Sequence, residues 1–105
     1  MKRLPSIEGG GARDPLLTAQ AATALLQRIV RHGTVAWSLR ALDCAHAAGN
    51  TTVECGNAML SGVADPAEVK GGSRRYRIHS PRLSIVLVFR SDDEVVVVDV
   101  ARRSR

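Results

Sequence analysis

Residues 83–101 read LSIVLVFRSDDEVVVVDVA, and this stretch decides the fold. Valine, isoleucine, leucine and phenylalanine fill both of its halves, and such residues favour β-strands. Ser91, Asp92 and Asp93 between the halves are typical of a turn. The stretch therefore predicts a hairpin with strands over residues 83–90 and 94–101. Because both strands are apolar on both faces for much of their length, we expect them at the centre of a sheet that helices cover on one face.

The residues before this hairpin predict further antiparallel pairing. Successive side chains of a strand point to opposite faces, so residues 74–79 divide into two sets. One side carries Arg74, Tyr76 and Ile78, and the other carries Arg75, Arg77 and His79. The proline at position 81 and Arg82 break this strand. Residues 68–70 and the glycines at 71 and 72 indicate a short hairpin arm joined to it by a turn.

The first predicted helix lies between Asp14 and Gly33. Asp14 and Pro15 form a favourable cap and first turn, and apolar residues then recur at helical spacing. Basic residues in the last turns and Gly33 just beyond them are typical of a helix end. Residues 34–37 follow as an extended connector or an edge strand.

Two shorter helices are predicted next. Ser38 caps a helix that runs to Ala48, and we expect its inner side to consist of Leu39, Leu42, Ala45 and His46. Thr51 and Glu54 have capping-box spacing, which predicts a third helix ended by Gly62. The residues expected to be buried on this helix are Val53, Gly56, Met59 and Leu60.

Together these elements predict an α+β protein with three N-terminal helices packed on a three- to four-stranded antiparallel sheet. The chain has 105 residues, which fits a single domain. We assign residues 14–105 to that domain. Residues 1–13 contain a proline and three consecutive glycines, and we interpret them as a flexible leader.

Charge is concentrated in the last third of the chain. The formal net charge is +5, and residues 74–105 contribute eight arginines against four carboxylates. Arginine forks match phosphate oxygens, so RNA is a plausible partner; an acidic protein partner and a merely solvated surface explain the same charge. Aromatic residues make up only 3%, which argues against readers of single-stranded nucleic acid that stack bases on aromatic rings.

The composition predicts no metal site, cofactor or membrane segment. Cys44 and Cys55 are the only cysteines, and no CxxC or HxxxH spacing supplies the remaining ligands for zinc. We expect both thiols to be reduced and at least partly buried. The N-terminal residues lack the apolar run of a secretory signal, and no apolar run is long enough to span a bilayer. The expected compartment is the cytoplasm.

Metal-free cleavage of RNA is the chemistry that the strand over residues 74–79 could carry. This reaction needs a base, an acid and donors for the phosphorane. Tyr76 is either a packed aromatic residue or an acid, and His79 is either a surface residue or a base. Asp99 interrupts an otherwise apolar strand, and we expect it to pair with an arginine such as Arg77 or Arg90.

Several phrases of the sequence resemble the MqsR-like family of short bacterial proteins, also called domain of unknown function 4258. They are Ser38-Leu39-Arg40-Ala41-Leu42, Thr52-Val53-Glu54-Cys55-Gly56-Asn57, Gly72-Ser73-Arg74-Arg75-Tyr76-Arg77-Ile78 and Phe89-Arg90-Ser91-Asp92-Asp93-Glu94-Val95-Val96-Val97-Val98. The similarity covers about residues 25–101. The family is similar in fold to the RelE-type ribonuclease toxins and is often encoded beside a zinc-finger antitoxin.

The resemblance implies a toxin-like, metal-independent endoribonuclease that acts on mRNA, either at the ribosome or free of it, and that an antitoxin protein neutralises. The expected catalytic residues are His79, Tyr76 and Arg77, and the expected RNA contacts are Arg40, Arg74, Arg75, Arg82 and Arg90. The chain departs from the family in several places: Arg40 stands where the family has a histidine, and Asp99 where it has a threonine. Arg74 and Ala101 each stand where the family has a tryptophan. The alternatives are a catalytically degenerate RNA- or partner-binding domain on the same fold, and a dimerisation module with an exposed edge strand.

Overall fold

The computed structural model describes residues 17–71 and 73–103. Its helices are α1 (Ala19–His32), α2 (Leu39–Ala47) and α3 (Thr52–Ser61), and its strands are β1 (Thr34–Trp37), β2 (Val63–Ala64), β3 (Glu68–Lys70), β4 (Ser73–His79), β5 (Leu83–Phe89) and β6 (Glu94–Arg102). The predicted leader over residues 1–13 and the predicted cap at Asp14 and Pro15 lie outside the described residues.

Side-chain caps begin all three helices. The hydroxyl of Thr18 accepts a hydrogen bond from the amide of Ala21 at the start of α1. At the start of α2 the hydroxyl of Ser38 accepts a hydrogen bond from the amide of Ala41. In α3 the Thr51 hydroxyl and the Glu54 carboxylate accept bonds from each other's amides. The predicted Ser38 cap and the predicted capping box are therefore confirmed.

The sheet has six strands and is mixed. The strand order is β1-β6-β5-β4-β2, and β3 pairs with β4. β5 and β6 form the expected central hairpin, and β3 and β4 form the expected shorter one. β1, however, runs parallel to β6, with Thr34 opposite Glu94 and Trp37 opposite Val97.

The prediction of three N-terminal helices on a three- to four-stranded antiparallel sheet is therefore wrong. β1 lies between α1 and α2, so helices and strands are interleaved. β1 can pair in parallel with β6 because the chain between these two strands provides the long crossover connection that parallel neighbours need. Four residues are too few to show a period, and the pairing of Thr34–Trp37 with β6 is a long-range contact that local sequence does not encode.

One face of the sheet carries the hydrophobic core. Tyr76, Ile78, Ile85, Leu87, Val95, Val97 and Val100 are buried there, together with Leu26, Ile29, Met59 and small residues of the helices. The buried apolar residues of β4, β5 and β6 point to one side of the sheet, with a β-bulge opposite Val86 and Leu87 that shifts the alternation on β6. The described helices pack on this side, which we call the covered face. The opposite face, carrying Arg77 and Val86, is only half-buried.

The inner sides of α2 and α3 differ in part from those predicted, since Ala45 and Met59 are buried as expected but other positions are not. Ala41 and Ala45 face the core on α2, whereas Leu39 is 81% exposed and Leu42 and His46 are also exposed. On α3 the core side consists of Cys55, Ala58 and Met59, and Val53 is 70% exposed. Small residues let a helix approach a sheet closely, so they occupy the inner positions that larger apolar residues were expected to fill.

Candidate nucleic-acid interface

The uncovered side of the sheet, which we call the open face, gathers residues from four strands. Strand registers place three rows across it, and the residues in a row point to the same side. These rows are Arg77–Val86–Asp99, His79–Ser84–Ala101 and Val88–Val96–Ala36. Half-buried valines therefore form its centre, with β4 supplying a basic flank.

Arg75 and Arg77 form the basic flank of the open face. They are two positions apart on β4, so their side chains leave the same face of the strand about 7 Å apart. Within the described residues no carboxylate lies within 4.0 Å of either guanidinium. Arg77 Nη1 donates a weak hydrogen bond of 3.4 Å to the Ser84 hydroxyl. The two cations are therefore available to an external anion.

The side chain of Arg75 lies close against the surface of the sheet. Its Nε atom has almost no accessible surface and no hydrogen-bond partner among the described groups, and the residue as a whole is half-buried. Because Nε belongs to the guanidinium, the inner edge of the charged group is itself buried. The arrangement holds the guanidinium close to the face.

His79 continues the flank but is engaged by a carboxylate. Its Nε2 atom lies 2.6 Å from Oδ2 of Asp65, which follows β2 on the neighbouring edge. The other ring nitrogen, Nδ1, is buried and has no partner among the described residues. A general base must reach the proton that it removes. In this geometry one nitrogen of His79 faces Asp65 and the other is covered, so neither faces the open surface.

Tyr76 lies on the covered face, on the other side of the sheet from Arg77 and His79. Its hydroxyl accepts a hydrogen bond of 3.0 Å from the Leu17 amide, and its ring packs edge-on against Phe89 with centroids 5.2 Å apart. Only 3% of the residue is accessible. The three expected catalytic residues therefore do not share a surface.

Arg40 reaches the far side of the open face. Its guanidinium lies 3.7 Å from the carboxylate of Asp99, and its side chain is 74% exposed. Asp99 thus pairs with an arginine as expected, but its partner is Arg40 rather than Arg77 or Arg90. Arg77 lies two strands away in the same row, which is about 10 Å. Two of the positions at which the chain departs from the MqsR-like motifs therefore contact each other.

The remaining expected RNA contacts are scattered. Arg74 points to the covered side of β4 and is half-buried. Arg90 forms an exposed ion pair of 3.3 Å with Glu94 at the far end of the sheet. Arg82 is exposed at the corner between β4 and β5, where it borders an open cleft of about 300 Å³ against α3 that also contains Asn50 and Asn57. Only Arg75 and Arg77, with Arg40 across the sheet, lie on the open face.

Sequence reasoning missed Asp65 and Ser84 as members of this face. The carboxylate of Asp65 reaches His79 because β2 pairs with the end of β4, and Ser84 is buried beneath the Arg77 guanidinium. Asp65 belongs to no pattern, so no local signal could have found it. The period-two alternation of β5 places Ser84 opposite His79, and that signal was present.

The two cysteines are free, as expected. Cys55 is buried in the core and Cys44 is half-buried. Burial, with a smaller contribution from the Glu54 carboxylate, raises the pKa of the Cys55 thiol. Within residues 17–71 and 73–103, no three histidine, cysteine or acidic side chains converge as a metal-binding group.

Comparison of the chain with protein-family models, with curated proteins and with solved structures finds no match. The resemblance to the MqsR-like family therefore stays a prediction. No helix in the described part of the chain is long and apolar enough to cross a membrane.

Proposed function

We propose that this protein binds RNA through the open face without cleaving it. The observation that carries the proposal is the position of Arg75 and Arg77, side by side on an uncovered sheet face with no carboxylate within 4.0 Å among the described residues. Phosphate contacts by such arginines supply most of the sequence-independent affinity for a nucleic acid. The net charge of +5 adds long-range attraction for a polyanion.

The same geometry favours binding over cleavage. Acid and base catalysis needs two groups that reach the reacting atoms. Tyr76 is buried on the covered face, and both nitrogens of His79 are directed away from the open surface. Arg40, in the place of the family's histidine, forms an ion pair with Asp99. These contacts support the catalytically degenerate alternative, in which the toxin-like scaffold keeps an RNA-binding face.

The toxin-like endoribonuclease is the competing proposal, and it rests on the resemblance and on His79 alone. The ribonuclease proposal includes an antitoxin partner and mRNA on the ribosome as substrate, and both remain proposals. Either function with RNA as the partner places the protein in the cytoplasm. The two proposals differ in one observable, which is whether bound RNA is cut.

The test uses the purified chain with a mixed RNA pool, with and without ribosomes. We expect retention of RNA with no new cleavage ends, and no growth arrest when the protein is expressed. Arg75→Ala/Arg77→Ala should lose most of the binding. Arg28→Ala/Arg31→Ala removes the same two charges from α1 and is the matched control, expected to bind nearly as wild type does.

Three outcomes would contradict the proposal. Cleavage that His79→Gln abolishes would support the ribonuclease instead. Equal loss of binding in both double variants would mean that net charge, rather than the open face, attracts RNA. The absence of any RNA binding would leave an acidic protein as the partner to consider.

A further inference from the structure

The outer edge of β1 has backbone groups that the described chain leaves unpaired. The amides of Thr34 and Ser38 donate to the carbonyls of Asp93 and Val97 on β6. Because backbone groups alternate in direction along a strand, the N–H and C=O groups of Val35 and Trp37 point away from β6. Among the strands of residues 17–71 and 73–103, β1 is the last on its side of the sheet. Two residues therefore present free donors and acceptors at this edge.

This edge also lacks the features that keep sheet edges from pairing. Thr34–Trp37 contains no charged residue and no proline, and its pairing with β6 is regular. The opposite edge is protected: β2 has only two residues, and the amide of Ala64 donates to the hydroxyl of Thr23 on α1. An exposed leucine, Leu39, stands directly after β1, with 81% of its surface accessible.

We infer that β1 pairs with β1 of a second copy of this chain, in antiparallel orientation about a twofold axis through Ala36. In this register the outward groups of Val35 face those of Trp37 of the second copy, and the two residues exchange both of their hydrogen bonds. The twofold axis repeats the exchange, which gives four bonds. Registers centred on Val35 or on Trp37 satisfy fewer of these groups.

Side chains agree with the same register. Val35 and Trp37 lie on the covered face in the same rows as Val95 and Val97, so the register sets a valine beside a tryptophan across the new interface, which is a favourable cross-strand pair. Ala36 meets its own copy on the open face, where a small side chain causes no clash. Leu39 comes opposite Gly33 of the second copy, which accounts for its position beside the edge.

Symmetry favours a second copy of the chain over an unrelated peptide as the partner of β1. An interface on a twofold axis must be self-complementary, and a strand without charges meets that condition because no like charges face each other. Exposed Leu39 then lies at both ends of the paired strands, close to the second copy. This inference is independent of RNA binding, because it uses the edge of the sheet and not Arg75 or Arg77.

The test is the molar mass of the full chain by light scattering across a wide range of protein concentration. We expect the mass to rise toward twice the 11.2 kDa of one chain. Val35→Pro removes an outward N–H and keeps the β1–β6 backbone bonds, although it also shortens a side chain that packs against the core; a folded variant should stay at the mass of one copy. Leu39→Lys changes an exposed side chain and should also weaken pairing by at least tenfold.

Val53→Lys is the matched control for Leu39→Lys. Val53 is 70% exposed on α3, which packs on α1, β4 and β5 rather than on β1, so this variant should associate as wild type does. Far-ultraviolet circular dichroism checks that each variant is folded. If Val35→Pro does not fold, the result for Leu39→Lys tests the inference. A wild-type chain that keeps the mass of one copy at every concentration would overturn the inference. So would a dimer that neither Val35→Pro nor Leu39→Lys weakens.

Discussion

Replacing Tyr76 by Phe removes one hydroxyl and should separate a structural role from a catalytic one. The hydroxyl accepts one bond of 3.0 Å from the Leu17 amide, and such a neutral bond contributes about 0.5–1.5 kcal/mol. Leu17 is half-buried, so water can take the place of the lost acceptor, and we expect the lower half of that range. The ring stays against Phe89, which is why Tyr76→Ala should cost more, about 3–5 kcal/mol.

The assay for Tyr76→Phe combines thermal unfolding, followed through the fluorescence of the single tryptophan, with RNA binding. At about 4–8 °C per kcal/mol for a domain of this size, the midpoint of thermal unfolding should fall by a few degrees. RNA affinity should stay within about twofold, since a change of 0.4 kcal/mol corresponds to roughly that factor. A variant with unchanged stability but lost RNA binding or cleavage would refute the assignment of Tyr76 to the covered face.

Three further perturbations test other parts of the structure. Gly33→Ala should destabilise the fold by about 1–3 kcal/mol, because the added Cβ would meet the Asp93 carbonyl oxygen at 2.3 Å; unchanged denaturant stability would argue against the parallel β1–β6 contact. In a double-mutant cycle, Asp65→Asn and His79→Gln should couple by about 0.2–1 kcal/mol, since both side chains are partly exposed; no coupling would contradict the pair. Burial raises the pKa of Cys55, so the native state binds its proton more tightly than the unfolded chain does. The free energy of unfolding should therefore fall as the pH rises above about 8.5, the ordinary thiol value. Cys55→Ala should reduce that slope, and an identical slope in this variant would refute the burial of the thiol.

Sequence patterns predicted the elements that local residues determine. The turn at Ser91–Asp93, the long apolar strands beside it and the Thr51–Glu54 capping box each carry their own signal, and each is present. Residues 34–37 were expected as an extended connector or an edge strand, and β1 is an edge strand. Its parallel pairing with β6 could not be predicted, because four residues show no period. The interleaving of helices and strands follows from that single non-local contact.

The candidate site was predictable to the extent that it follows the alternation of β4. Period-two alternation places Arg75, Arg77 and His79 on one face of the strand and Tyr76 on the other. The expectation that Tyr76 and His79 share a catalytic site was inconsistent with this alternation. The contact between His79 and Asp65 depends on the pairing of β2 with β4. No spacing in the sequence could therefore have indicated that the histidine is engaged.

The slope of RNA affinity against salt concentration tests the central claim most directly. If Arg75 and Arg77 each contact a phosphate, their joint replacement by Ala should lower the slope of log affinity against log salt by about 1.4, taking about 0.7 for each single-strand phosphate. The control Arg28→Ala/Arg31→Ala should keep the wild-type slope. Because the two variants have equal net charge, we expect their slopes to differ by about 1.4. Equal slopes in the two variants would contradict RNA binding at the open face.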